Sequence, residues 1–401
     1  MKKSLFCCIF LLVAVLVCAQ LCACTPKIPP EHDHIWQLKP VDFDGTVGIS
    51  ACYKCRDCSE EKTATVKNVI LFIADGMGPE HLKAGQLANE NAFGFTQWQH
   101  SMVNTTNVSG EITDSAAAAT AMATGTLTVN HAVGQDSDGN QLSTILDFAK
   151  QRGMRTGIVT TDVLTGATPS AFSAHVPDRD GDAATIITSQ LASNVDLLCA
   201  AYNNTVGLRT DLINESPYAY CNKFEKREEI MDKDQALCLF KMGGSGARVA
   251  LADAATFAMD YLENDNGYVL MIEQAHVDKY SHDKNTRFAT EAVMDMNKTV
   301  EAVQEHIGDS FDTALMLTAD HETCGLQVSN EAIYKDSYQF ANGVKLYYNW
   351  TADYHTDTDV DFFYQGFYAD LNKMPVYGSA DRIKNTDIFL LMKALVEQIR
   401  P

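Results

Sequence analysis

The sequence predicts a doubly wound α/β fold, with a mainly parallel central sheet and helices on both faces. Two observations carry that expectation. Four short apolar runs, at 66–74, 157–161, 268–272 and 314–318, lack the in–out alternation of a half-exposed strand, as strands buried on both faces of a parallel sheet do. Stretches with helical character, at 142–152, 250–264 and 286–307, separate them. Strands that alternate with helices pair in parallel. A hydrophobic content of 46% over 401 residues supports a large core, and one domain is placed at 66–401.

Upstream of that domain, Lys2 and Lys3 precede an apolar run at 5–17 that is short for a membrane span and charged like a secretory signal. Export is therefore expected, with 1–23 as the signal peptide. Leu21-Cys22-Ala23-Cys24 resembles a bacterial lipobox, which makes Cys24 the residue to be acylated. The protein is then periplasmic or held at a membrane through that lipid; a plain cut near Ala19 or Ala23 is the competing reading. Residues 24–65 read as a linker or a small cysteine-containing module. Cys52-x-x-Cys55-x-x-Cys58, with His32 and His34 as extra ligands, is compatible with a zinc or redox centre. Without a second pair of thiols, a small oxidised or unordered module is the preferred reading. After Cys24 seven cysteines remain, and seven cannot all pair.

Formal charge excludes some partners. At -21 the chain repels nucleic acid and anionic membrane surfaces. A phosphate site on such a protein needs a local positive field, and bound metal ions are the compact source.

Residues 111–125 organise the functional reading. Thr113 and Asp114 are good N-caps, and the alanines after Ser115 have the highest helix propensity, so a helix should start at about Ser115. Backbone N–H groups and the helix dipole stabilise an anion at such a terminus, where a serine hydroxyl can attack it. The apolar runs point to the same place. The first ends in Asp75, the third in Glu273 and the fourth in Asp320-His321, while the second leads into a loop with Thr168, His175 and Arg179. Ligands of open parallel sheets bind beyond the carboxyl ends of the strands, so these residues should converge. Asp278 and His282 lie four apart, on one helical face, and His355 is a late histidine on a loop. Asp and His without cysteine suit catalytic zinc, and Asp, Glu and Thr oxygens suit magnesium. His175 and His276 are read as structural.

From residue 66 to 401 the chain resembles the alkaline phosphatase family. The resemblance rests on Asp75-Gly76-Met77-Gly78, Asp114-Ser115-Ala116-Ala117, Ala167-Thr168-Pro169, Glu273 through Asp278 to His282, Thr318-Ala319-Asp320-His321-Glu322 and His355-Thr356, all in family order. It implies two Zn2+ and one Mg2+ per subunit. Asp278, His282 and His355 would hold one zinc, Asp75, Asp320 and His321 the other, and Asp75, Thr168 and Glu273 the magnesium. It further implies a homodimer that hydrolyses small phosphomonoesters through a phosphoserine at Ser115, with Arg179 gripping the phosphate, in nonspecific phosphate scavenging. Gly166 departs from the pattern, because the family usually has Asp or His there. Two expectations follow: an under-supported magnesium site that Gly166→Asp would repair, and a Lys279 turned toward the substrate phosphate. Cys324 replaces a frequent glycine, and the glycine triplet expected at 199–201 is absent. A sulfatase needs proline two residues after its nucleophile, which Ser115 lacks. The remaining rivals are a phosphodiesterase of the same superfamily and an inactive metal- or phosphate-binding surface lipoprotein.

Overall fold

The computed structural model describes residues 33–41, 49–207, 209–243, 248–373 and 381–399. The signal segment, Cys24 and His32 lie outside the described residues. The described chain divides into two compact units. One contains 33–37 and 53–62, and the other contains 38–41, 49–52 and everything from 63 onward.

The larger unit is built on ten strands: β1 (Asn68–Ala74), β2 (Gln99–Asn104), β3 (Arg155–Val163), β4 (Leu197–Ala201), β5 (Ala219–Cys221), β6 (Ala236–Phe240), β7 (Tyr268–Gln274), β8 (Thr313–Thr318), β9 (Val360–Gln365) and β10 (Arg382–Lys384). Their order across the sheet is β10-β2-β9-β8-β1-β7-β3-β4-β6-β5. Among these strands β9 alone runs against its neighbours, so the expected mainly parallel sheet is present. The four apolar runs are β1, β3, β7 and β8, and they sit side by side at its centre. Their registers are continuous, with Ile73 paired to both Glu273 and Thr318, which brings the ends of β1, β7 and β8 level.

Two groups of mutually packed helices cover the sheet. One comprises α1 (Pro79–Asn89), α6 (Leu251–Leu262), α7 (His276–His282) and α8 (Thr286–Ile307). The other comprises α2 (Ser115–Thr124), α3 (Ile145–Gln151), α4 (Ala167–Ala171) and α9 (Asn385–Val396), and α5 (Ala183–Leu191) follows α4 in the chain. Helix α2 starts at Ser115, as its cap residues foretell: the Asp114 carboxylate accepts from the Ala117 amide at 2.9 Å. It stops at Gly125, at φ 73°, where a Cβ would lie 2.4 Å from Phe389 Cδ1. All ten of its residues are buried, because α4 and α9 press on it. Alanine is the side chain that such close packing admits.

Between β8 and β9 a small antiparallel sheet, Leu326–Ser329, Lys345–Trp350 and Asp336–Gln339, packs its Leu326, Val328 and Leu346 against Ala84 and Ala88 of α1. It carries the chain from His321 to His355. Enlarging a side chain inside α2 should be costly. Ala121→Leu is expected to lower stability by about 1–3 kcal/mol, read as an earlier urea midpoint at unchanged slope. An unmoved midpoint would show that α2 has room to spare.

Candidate active site

Asp75 follows β1 and is succeeded by Gly76, whose φ of +80° already favours glycine. Space demands it too, since a Cβ at Gly76 would sit 2.7 Å from Asp278 Cα and from Thr323 Oγ1. Three strand ends meet across this residue. The Gly76 amide donates to Asp320 Oδ1 at 3.0 Å, and the Asp278 amide donates to the Asp75 carbonyl at 2.8 Å. Beyond β7 the chain enters α7, one turn of which brings Asp278 and His282 together. Beyond β8 come Asp320 and His321, and then Glu322–Thr323 pairs with His355–Thr356 in a two-residue antiparallel ladder. That ladder fixes the late histidine beside the others.

The side chains form two nitrogen–oxygen sets. In the first, Asp278 Oδ1 lies 3.2 Å from His282 Nε2 and 3.4 Å from His355 Nε2, and the two imidazole nitrogens are 3.1 Å apart. In the second, His321 Nε2 is 3.6 Å from Asp75 Oδ1 and 3.2 Å from Asp320 Oδ2. Ser115 Oγ stands 3.2 Å from the same nitrogen. The Asp114 carboxylate that caps α2 also accepts from the His131 amide and lies 3.5 Å from Arg179 Nη1. Arg179 is thereby aimed toward the N-terminus of α2. Glu273 is fully buried and accepts a hydrogen bond from Thr160, while α4 supplies Thr168, also buried.

Burial makes this arrangement electrostatically tense. Desolvation, with Asp320, Asp278 and Glu273 as neighbours, holds the Asp75 carboxyl well above the usual range. Burial and the nearby Asp162 push Glu273 up to about 8, and burial takes Asp320 to about 6. His321 is held well below its ordinary value by burial and by His355. Burial raises Asp278 too, but hydrogen bonds with His282 and His355 outweigh it and hold that carboxyl well below its usual range. Asp75 Oδ1, Asp320 Oδ2 and Thr168 Oγ1 are buried with no hydrogen-bond partner. Buried polar atoms are normally paired. Clustered carboxylates, imidazole nitrogens facing each other and orphaned oxygens are what divalent cations satisfy, so these residues fit the metals that the resemblance implies.

Lys279 is placed otherwise than expected. Its ammonium is hydrogen-bonded to Asp162, and Asp162, next to last in β3, occupies the space that a side chain at Gly166 would take. A Cβ at Gly166 would lie 2.3 Å from Asp162 Oδ2. The acidic group missing from position 166 is thus supplied from four residues earlier. The rule that found the other ligands, a carboxylate just after an apolar run, would have found Asp162 as well. A register shift between Val159 and Val163 re-aims this end of β3. Sequence reasoning also missed Thr323, whose hydroxyl donates to Asp278 Oδ1 at 2.6 Å. Glu322, part of the Asp320-His321 motif but given no role there, accepts from the Gly325 and Leu326 amides and the Thr356 hydroxyl. His175 and His276 are engaged by the Gly134 carbonyl and the Thr161 hydroxyl.

Central sheet, helix layers and paired ligand sets define an alkaline-phosphatase-like architecture. The alkaline phosphatase from the Antarctic bacterium TAB5 superposes with a TM-score of 0.71 at 22% identity, over 83% of this chain and 98% of that one. The family model for alkaline phosphatase matches residues 66–206 and 227–389, and the chain belongs to that family. Alkaline phosphatase 4 of Bacillus subtilis strain 168 is 30% identical over 321 residues, 73% of this chain and 66% of the relative. The Escherichia coli K12 alkaline phosphatase is 28% identical over 341 residues, 66% of this chain and 72% of the relative. The chain spans just under two thirds of the length of the Bacillus and Drosophila relatives it matches.

Thr323→Val keeps the shape of the side chain and removes the donor to Asp278. Leaving that buried acceptor one bond short should cost about 1–3 kcal/mol in urea unfolding of the chelator-treated protein. A variant as stable as the wild type would show that Asp278 is held by the histidines alone.

Proposed function

We propose that this protein hydrolyses phosphate monoesters to an alcohol and inorganic phosphate through a phosphoserine at Ser115. The observation that carries the reading is Ser115 at the first position of a buried helix, its hydroxyl 3.2 Å from His321. Zinc held by Asp278, His282 and His355, a second zinc held by Asp75, Asp320 and His321, and magnesium held by Asp75, Thr168 and Glu273 would supply Lewis acidity that makes a serine alkoxide accessible near neutral pH and neutralises charge on the departing oxygen.

The chain's own groups do the rest. Ser115 Oγ attacks phosphorus in line, the bond to the alcohol oxygen breaks, and the alcohol leaves. Water then attacks the same phosphorus, the bond to Ser115 Oγ breaks, and inorganic phosphate departs. Amides at the start of α2 and the helix dipole favour the anion throughout. Arg179, oriented by Asp114, grips two nonbridging oxygens with a planar fork that lysine cannot reproduce. Such a clamp favours the monoester over a diester, which has one charge fewer to hold. Every ligand position is filled by a competent residue, against an inactive binding protein. Export with attachment through Cys24, dimerisation and service as a general phosphate scavenger belong to the same proposal.

The test is hydrolysis of a phosphomonoester, a phosphodiester and a sulfate ester, with and without a chelator. Monoester turnover should dominate and vanish on chelation, acid-quenched protein should carry phosphate on Ser115, and Ser115→Ala should lose at least about 10³-fold in kcat. Near-full kcat in the alanine variant, or indifference to the chelator, removes the mechanism.

Asp162 supplies a further expectation. It borders the magnesium set through Glu273 and holds Lys279, so Asp162→Ala should raise the magnesium concentration for half-maximal activity by about 10–100-fold. Gly166→Asp should raise it as well, by driving Asp162 from its place, the reverse of the outcome expected from sequence. Equal magnesium midpoints in all three proteins would exclude Asp162 from the site.

A further inference from the structure

The smaller unit has a ligand cluster of its own. His34, Cys55 and Cys58 each offer one donor atom, and the three atoms lie within 4.8 Å of one another. All three residues belong to that unit, and none has a part in the phosphatase chemistry. Cys58 Sγ is 3.5 Å from His34 Nδ1. A tetrahedral zinc, with bonds of about 2.3 Å to sulfur and 2.0–2.1 Å to nitrogen, sets two such donors about 3.6 Å apart.

The surroundings favour a metal over an incidental contact. Cys55 and Cys58 flank a tight turn: the Cys55 amide donates to the Glu60 carbonyl at 2.9 Å, and the Asp57 amide points at Cys55 Sγ from 3.4 Å. An amide directed at sulfur stabilises the thiolate that a metal requires. On the other side of the ring, His34 Nε2 lies 3.3 Å from Glu60 Oε2. Carboxylates so placed hold a ligating histidine in the right tautomer and raise its basicity. The ring is further fixed by stacking on Trp36, centroid to centroid at 5.0 Å. Cys55 and Cys58 are both thiols.

We propose that His34 Nδ1, Cys55 Sγ and Cys58 Sγ form a zinc site, separate from the catalytic sets, with Glu60 as the positioning carboxylate and water as the fourth ligand. Two thiolates and a neutral imidazole are a donor set that suits zinc among divalent ions. Each thiol gives up its proton to solvent as the ion binds, so the ion's charge is balanced and no oxidant is involved. Segments this small cannot bury enough apolar surface to hold their shape, and metal ligation then supplies folding energy directly. The site's role is to staple this unit.

Cobalt tests the assignment, because the catalytic sets contain only oxygen and nitrogen and cannot produce a sulfur-to-cobalt charge-transfer band. The intact protein, reconstituted with Co2+, should show that band, and Cys55→Ser/Cys58→Ser should abolish it. The double variant should also retain one zinc fewer per chain while hydrolysing phosphomonoesters like the wild type. Glu60→Gln should keep the band and weaken zinc binding at this site by about 10–100-fold, measured by competition with a chromophoric chelator. Three results overturn the proposal: no thiolate band in the intact protein, a band that survives in the double variant, or an unreduced mass two hydrogens light from a Cys55–Cys58 disulfide.

Discussion

Two backbone amides hold the candidate active site together. Gly76 donates to the Asp320 carboxylate and Asp278 donates to the Asp75 carbonyl, so the loops after β1, β7 and β8 are tied before any side chain reaches a ligand. The close approach is possible because residue 76 has no Cβ and adopts a left-handed φ. It depends equally on the shared register of β1, β7 and β8, which ends those strands at one level. Remove the clasp, and Asp75, Asp278 and Asp320 become three carboxylates on three independent loops.

Charge gives the clasp its chemical meaning. Asp75, Glu273 and Asp320 are carboxyl groups that burial makes reluctant to ionise, within a chain of formal charge -21. Arg179 and Lys279 supply positive charge, and each is committed to an acidic partner, Asp114 and Asp162. The protein alone therefore provides little net field for a phosphate. Under the proposed function, cations gathered by the same carboxylates would reverse the sign of the site, which would reconcile an acidic protein with an anionic substrate.

Much of this was legible in the sequence, and the gaps have physical causes. The four strands that could be read are the four central ones, whose apolar runs leave no alternative period. Strands β4 and β6 are just as buried, but Leu-Leu-Cys-Ala-Ala and Ala-Leu-Cys-Leu-Phe carry no β-branched residue to tell them from turns of buried helix. Strands β2, β9 and β10, which complete one side of the sheet, are set by pairing partners far away in sequence. The start of α2 at Ser115 was legible because capping is local. The partner of Lys279 was not, because it depends on where the irregular end of β3 puts Asp162. Cys324, noted in the sequence as replacing a frequent glycine, is buried at φ 63°, a backbone shape that glycine would adopt more easily.

The two-residue ladder between Glu322–Thr323 and His355–Thr356 bears on the order in which the molecule comes together. Asp75 emerges early in synthesis and His355 late, so the centre is assembled from contacts of very long sequence separation, the kind that form slowly because loop entropy is lost before they reward it. Helix α2 carries its cap and its alanines within one short stretch, whereas the paired Asp and His sets exist only after the sheet has closed around β1 and the small antiparallel insert has returned the chain to it. Closure of the two sets is in that sense a late step of folding, and the chain can present them to a cation only once that step is complete.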